Sequence, residues 1–211
     1  GLIRNDVPIM KVLVEPGDSL LIPGALHHDK QDQAAISIML EVAREARVNR
    51  VCLVGDTFES AGVTHRKKPA RRFRFGKGTI SAEADAARPN LEALREIGSS
   101  GCDALTGNHE FWWQGVQDEY PGLMDTPWHE LYGDIFDGWR VRAEHTALKY
   151  GPLLVCHGHR LRGSLAKFAA AQILANYPGQ NTVCGHNHRL DQATAPTFKY
   201  GRAVAHGAWT V

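Results

Sequence analysis

The stretch CDALTGNHE (residues 102–110) decides the fold class, because in it an apolar run leads directly into a cluster of polar side chains. Four other runs have the same form: SLLIP (19–23), RVCLV (50–54), PLLVC (152–156) and NTVC (181–184). Short apolar runs bounded by glycine and proline are typical of buried strands. The sequence therefore predicts five strands whose ends lead into Asp, Asn or His.

Helical patterns separate these runs. In QAAISIMLEVAREAR (residues 33–47), the apolar positions 36, 39, 40 and 43 fall on one face of a helix. Residues 83–97 and 160–176 are also predicted to be helical, and a Pro-Gly pair ends the second of these helices. The tail, residues 194–211, predicts a hairpin that turns near Tyr200. Alternating strands and helices indicate an α/β fold.

The polar side chains at the strand ends are expected to meet at one site, because α/β folds bind ligands at the carboxyl ends of their strands. Imidazole suits Zn, Fe and Ni, and carboxylate suits Mn and Mg. The candidate ligands are His27, Asp56, Asn108, His157, His186 and His188. Six ligands exceed what one tetrahedral ion needs, so they predict a two-metal centre of the kind that hydrolyses phosphate esters.

Composition predicts a single domain over residues 1–211 with no overall charge that would favour one class of partner. The 24 Lys and Arg side chains nearly balance 23 Asp and Glu, which gives a net charge of +1. No apolar run reaches the ~18 residues of a membrane span, and no secretory pattern is present. The four cysteines form no CxxC pair, which favours buried reduced thiols in a cytoplasmic protein.

Four motifs in this order resemble the calcineurin-like metallophosphoesterase family: GD at 55–56, GNHE at 107–110, HGH at 157–159 and GHNH at 185–188. Order and spacing both match, over roughly residues 20–190. GD alone would be a weak signal, whereas GNHE followed by GHNH is specific. The resemblance implies a four-layer α/β/β/α sandwich, in which helices flank two mixed sheets and a dinuclear metal centre lies above the sheets.

The resemblance also implies a role for each motif residue. Asp56 would bridge two divalent ions, with Mn expected and Zn, Fe, Ni or Co as alternatives. Asn108, His157 and His186 would complete one metal site, and His27 and His188 would serve the other. His109 would contact the phosphate and protonate the leaving oxygen. Glu59 occupies a position where some relatives carry an aspartate that orients this histidine, and the same role is predicted for it.

Ala25 departs from the family pattern, whose first motif is Asp-x-His. The chain reads Ala25-Leu26-His27, so the metal of His27 and His188 lacks one carboxylate and should bind more weakly. Three explanations are open. The alanine is an engineered substitution, or a natural variant that works with a weak or single metal, or Asp29 or Asp32 replaces the missing ligand.

A basic segment, HRKKPARRFRFGKG (residues 65–78), carries seven Lys and Arg side chains and no acid. A solvated surface loop is one interpretation. In the other, Arg71, Arg72 and Arg74 hold substrate phosphates while two phenylalanines stack on bases. The second interpretation favours a phosphodiesterase or nuclease acting on nucleotides or nucleic acid. The alternatives are a phosphomonoesterase acting on small molecules or phosphoproteins, and a non-catalytic binding module that retains the fold.

Three further histidines are not predicted to bind metal. His28 and His159 neighbour predicted ligands and are expected to support them or to face solvent. His145 is expected to be an ordinary surface histidine.

Overall fold

The computed structural model describes residues 7–28, 30–60, 79–121, 126–159, 161, 168–199 and 202–211, with only the backbone described at 197–199 and 202–203. Asp29 and the basic segment, with Arg71, Arg72 and Arg74, lie outside these residues. The chain divides into two compact units. We call Gly17–Arg142 the four-stranded unit, and Gly1–Pro16 with Ala143–Val211 the six-stranded unit. The single-domain expectation stays a prediction.

Strands alternate with helices as the sequence predicts, although it does not predict the first strand, the helix that begins at Asn108 or the strands that begin at Trp139 and Ala147. In order they are β1 (Ile9–Val12), β2 (Leu20–Leu21), α1 (Gln33–Glu45), β3 (Arg50–Leu53), α2 (Ile80–Ile97), β4 (Gly101–Leu105), α3 (Asn108–Glu119), a 3₁₀ segment (Trp128–Phe136), β5 (Trp139–Arg142), β6 (Ala147–Tyr150), β7 (Leu153–Cys156), α4 (Ala169–Asn176), β8 (Asn181–Cys184), β9 (Asp191–Lys199) and β10 (Arg202–Thr210). All five apolar runs form strands. The helices predicted at 33–47 and 83–97 are confirmed, as is the C-terminal hairpin, whose turn residues lie outside the described part.

The four-stranded unit is built on a parallel sheet with strand order β2-β3-β4-β5. Helix α1 begins after Asp32, whose Oδ1 accepts hydrogen bonds from the N–H groups of Ala34 at 2.9 Å and Ala35 at 3.3 Å. Helix α2 packs on β3 and on the 3₁₀ segment. Leu91 and Leu94 of α2 are fully buried in the core of this unit.

The six-stranded unit is built on a mixed sheet with strand order β1-β6-β7-β8-β10-β9. The pairs β6–β7 and β9–β10 are antiparallel, and the other neighbours are parallel. Helix α4 covers β8, β9 and β10, and its Ile173 is buried in the hydrophobic core that also contains Leu154. This helix accounts for the second part of the helix predicted at 160–176, of which residues 160 and 162–167 are not described.

The α/β class is confirmed, with helices flanking a mixed sheet and a parallel sheet. The expectation of two mixed sheets holds for the six-stranded unit only, because the described strands of the other sheet all run parallel.

The four cysteines are buried and unbridged, as predicted. No helix in the described part of the chain combines the length and apolar character needed to span a bilayer.

Candidate metal centre

Two backbone hydrogen bonds align the first motif with the GD motif in the four-stranded unit. The His27 N–H donates to the Asp56 carbonyl at 3.0 Å, and the His28 N–H donates to the Thr57 carbonyl at 2.9 Å. This pairing places His27 Nε2 3.9 Å from Asp56 Oδ2. His28 is fully buried, and burial lowers its pKa to about 4. The neutral His28 ring is therefore part of the packing beneath His27 rather than a charged group.

Glu110 holds the GD and GNHE loops together from inside the four-stranded unit. Its carboxylate is fully buried and accepts hydrogen bonds from three backbone N–H groups: Gly107 at 2.8 Å, Asp56 at 2.9 Å and Phe58 at 3.1 Å. The bond to Gly107 is the reciprocal half of a capping box, since Glu110 is the third residue of α3. A charge-assisted network of this kind fixes the backbone from which Asp56 projects.

Gly107 is required by the close approach of its backbone to Asp56. A Cβ at position 107 would lie 2.3 Å from both Asp56 N and Asp56 Oδ1. The same approach lets the His109 N–H donate to Asp56 Oδ1 at 2.9 Å. One carboxylate oxygen of Asp56 is thus held by α3, and the other faces His27.

His109 presents its ring beside His27. The ring centroids are 4.5 Å apart in an edge-to-face arrangement, and His109 also stacks on Trp112 at 4.0 Å. His109 Nδ1 lies 2.8 Å from the Glu59 carbonyl oxygen. A carbonyl oxygen only accepts hydrogen bonds, so Nδ1 carries a hydrogen and Nε2 is the ring atom that can meet a ligand.

The Glu59 side chain lies on His27 rather than on His109. Its Oε2 is 3.1 Å from His27 Nδ1, and its Oε1 pairs with Lys30 Nζ. Burial opposes ionisation of Glu59, but the hydrogen bond and charge of Lys30, with the charges of His109 and His27, lower its pKa below the ordinary value. The predicted orientation of His109 is therefore made by the Glu59 main chain, while the carboxylate contacts His27.

The residues of the four-stranded unit fit a divalent ion. Ligand atoms of His27, Asp56 and His109 all lie within 4.8 Å of one another. Within this group the His27 imidazole and the Asp56 carboxylate are the predicted ligands, and both are donor types that transition metals accept. Asn108, the first residue of α3, is half-buried at the same end of β4. Asp32, one of the predicted replacements for the missing aspartate, uses its carboxylate to cap α1. Ala25 itself is half-buried and has no ligand atom.

The predicted ligands of the six-stranded unit follow two adjacent parallel strands. Cys156, the last residue of β7, pairs with Cys184, the last residue of β8, so His157 and His186 emerge at the same sheet edge. Their ring centroids are 5.1 Å apart, and His157 is only 4% exposed. His188 follows on the GHNH loop and is exposed.

A second group of titratable side chains lies beside these histidines in the six-stranded unit. The His159 ring centroid is 5.1 Å from that of His157 and 6.0 Å from that of His186. His159 Nε2 is 3.1 Å from Glu144 Oε1, and His145 Nε2 is 2.9 Å from the same oxygen. His145 is thus a half-buried member of a cluster, not an ordinary surface histidine.

Left-handed backbone conformations concentrate at the predicted ligands. The φ angles are 43° at His27, 51° at Asp56, 75° at His186 and 52° at His188. Non-glycine residues rarely adopt positive φ, and such strain persists where surrounding contacts enforce it, often at functional sites. His145 shares this property, with φ at 64°.

Two residues that shape the candidate sites, Glu110 and Glu144, are not identified by the sequence patterns. Glu110 has a recognisable signal, because a glutamate at the third position of a helix that begins after a strand end is half of a capping box. Glu144 has none, since its role depends on a strand pairing that brings it to His159.

Comparison with models of known protein families gives no match for this chain, and no curated protein matches it. The function proposed below therefore depends on the motifs and on the geometry within each unit.

Proposed function

We propose that this protein is a metal-dependent phosphoesterase with two divalent ions, and that it acts as a phosphodiesterase or nuclease on nucleotides or nucleic acid. One observation carries the proposal: Asp56 has a strained backbone whose N–H is bound by Glu110, its Oδ1 accepts the His109 N–H, and its Oδ2 faces the His27 imidazole. Holding a carboxylate in this way costs backbone strain and buries a charge, and a metal centre explains both.

The proposed ligand set follows motif order. It consists of His27, Asp56, Asn108, His157, His186 and His188. The imidazole donors suit Zn, Fe and Ni, and the carboxylate and amide oxygens suit Mn. Mn is the ion expected from the family resemblance, with Zn, Fe, Ni and Co as alternatives. Divalent ions at such a centre neutralise charge on the phosphoryl oxygens and make a water nucleophilic at neutral pH.

His109 is the proposed general acid. Attack by water forms a new P–O bond as the bond to the leaving oxygen breaks, and His109 passes the proton on Nε2 to that oxygen. One proton of the attacking water leaves to solvent, and His109 takes a proton from solvent before the next turnover. The Glu59 carbonyl, 2.8 Å from Nδ1, holds the ring in the orientation that leaves Nε2 available to the leaving oxygen. Stacking on Trp112, with ring centroids 4.0 Å apart, also fixes the plane of the His109 ring.

Glu59 is proposed to support His27 as a ligand. Its carboxylate lies 3.1 Å from Nδ1, which favours the tautomer with Nδ1 protonated and leaves Nε2, the atom that faces Asp56, as the donor. Carboxylates that contact a ligating histidine in this way commonly raise metal affinity. In this chain the contact partly offsets the carboxylate that Ala25 lacks.

A non-catalytic binding module is the second candidate, and Ala25 is the observation that favours it. Hydrolysis of bis-p-nitrophenyl phosphate and of p-nitrophenyl phosphate with saturating Mn separates the candidates. The proposal predicts diester hydrolysis that chelation abolishes. Faster hydrolysis of the monoester indicates a phosphatase instead. If neither ester is hydrolysed with Mn, Zn, Fe, Ni or Co, the proposal that the protein is an enzyme is contradicted.

The salt dependence of nucleic-acid binding tests the proposed substrate class. Replacing Arg71, Arg72 and Arg74 with alanine should weaken binding of single-stranded DNA or RNA and reduce the salt slope by about 0.7 for each phosphate that the variant no longer neutralises. An unchanged slope removes the basic segment from substrate binding.

A further inference from the structure

Glu144, His145 and His159 form a compact group that the proposed catalytic centre does not use. Glu144 Oε1 lies 2.9 Å from His145 Nε2 and 3.1 Å from His159 Nε2. One ligand atom from each residue lies within 4.8 Å of the other two. The two imidazole centroids are 5.2 Å apart.

The fold of the six-stranded unit brings the group together. Strands β6 and β7 are antiparallel, with Leu148 opposite Val155. Continuing this register past the strand ends places Glu144 opposite His159. The turn before β6 closes with a hydrogen bond from the Thr146 N–H to the Ala143 carbonyl at 3.2 Å, and it holds His145 in a left-handed conformation. The strained residue, His145, is one of the two whose rings reach the shared oxygen.

Burial and spacing suit a metal ion. The side chains of Glu144, His145 and His159 are 14%, 28% and 12% exposed, so the group is largely shielded yet reachable from solvent. Ligands about 2.0–2.1 Å from a tetrahedral zinc ion lie roughly 3.3 Å apart, which a small adjustment of the observed 2.9 and 3.1 Å separations provides.

We infer that Glu144, His145 and His159 bind a divalent transition-metal ion, with Zn²⁺ as the best match. Two histidines and one glutamate are a known zinc ligand set that leaves a fourth position for water. None of the three belongs to the ligand set of the proposed catalytic centre, so the inference stands or falls independently of the proposed function. The alternative is a metal-free cluster in which one carboxylate accepts hydrogen bonds from two imidazoles.

Spectroscopic titration of the full chain with Co²⁺ tests the inference, because Co²⁺ reports its coordination through visible absorption. The double variant Glu144→Gln/His145→Gln should bind one equivalent fewer than the parent chain. The matched control is His129→Gln/Glu130→Gln, which changes the same residue types at adjacent positions of the four-stranded unit and should bind as many equivalents as the parent. Equal stoichiometry in the two double variants overturns the inference.

A second measurement needs no substitution at the site. Carbethoxylation of histidines by diethyl pyrocarbonate, mapped by mass spectrometry, should slow at least about tenfold at His145 when the chain is saturated with Zn²⁺. Protection should persist in Asp56→Asn, a variant that impairs the proposed catalytic centre. Equal modification of His145 with and without Zn²⁺ contradicts the site. Loss of hydrolysis in Asp56→Asn with protection of His145 intact separates the two proposals.

Discussion

The two units position their proposed metal ligands in different ways. In the four-stranded unit a buried acid, Glu110, gathers three backbone N–H groups and positions Asp56 beside His27. In the six-stranded unit the register of β7 against β8 brings His157 and His186 to one sheet edge. The first arrangement depends on one side chain, and the second is distributed over a sheet. Single substitutions should therefore damage the first far more than the second.

The largest expected effect comes from Glu110→Ala. Removing the carboxylate leaves three buried donors to find other partners, which should lower the free energy of unfolding by roughly 3–5 kcal/mol. Metal binding at His27 and Asp56 should disappear with it. Denaturant unfolding and Mn²⁺ titration measure the two effects. Glu130→Ala, at an exposed position of the same unit, is the control and should stay within about 0.5 kcal/mol of the parent.

Replacing His109 separates the catalytic step from metal binding within the four-stranded unit. His109→Gln should lower kcat by about 10²–10⁴ because the leaving oxygen loses its acid. The stoichiometry of bound Mn²⁺ should not change, since His109 is assigned to the substrate and not to the ions. Loss of a metal equivalent in this variant would make His109 a ligand and contradict that assignment.

Gly107→Ala tests why the GNHE motif has a glycine at this position. We expect the reason to be the close approach of its backbone to Asp56, and not an unusual backbone conformation. Its Cβ would meet Asp56 at 2.3 Å, so the variant should lose about 1–3 kcal/mol of stability and bind Mn²⁺ more weakly. Gly179→Ala is the comparison in the six-stranded unit. There the backbone is left-handed at φ 78° with open space around it, so only about 1 kcal/mol of strain is expected, with metal binding unchanged. If the two variants bind Mn²⁺ with equal affinity, the claim that Gly107 is needed for its small size is contradicted.

Glu59→Gln should have the smallest effect, about a tenfold loss of metal affinity, because the amide supports the His27 tautomer less well than a carboxylate. The folded-state pKa of Glu59 is depressed, so its contribution to stability is present above the ordinary value of 4.5 and is lost as the pH falls through the folded value. The variant should flatten the stability profile in that acidic range. Lys30→Gln, which leaves the carboxylate on His27, should keep most of the affinity. A Glu59→Gln protein with parental affinity would exclude this support role.

The parts of the site that the sequence predicts are those set by residues close together in the chain. Asp56 and His157 sit directly after apolar runs, so their placement at strand ends follows from pattern alone. Helix α1 likewise follows from its apolar face. These features involve residues close together in the chain, and local periodicity reports them well.

The features that escaped prediction depend on long-range pairing. Glu144 and His159 are fifteen positions apart and meet only because β6 and β7 are antiparallel in one particular register. Glu59 was assigned to His109 by motif position, yet its carboxylate reaches His27 because the His27 and Asp56 loops are hydrogen-bonded side by side. The direction of a side chain at such a loop depends on partners that a single sequence does not identify.

The central claim is tested most directly by measuring Mn²⁺ stoichiometry and bis-p-nitrophenyl phosphate hydrolysis together, for this chain, Ala25→Asp and Asp56→Asn. We predict that Ala25→Asp binds a second ion tightly and turns over at least about tenfold faster than this chain, and that Asp56→Asn loses both metal and activity. If neither this chain nor Ala25→Asp hydrolyses the diester with Mn, Zn, Fe, Ni or Co, the phosphoesterase assignment is contradicted.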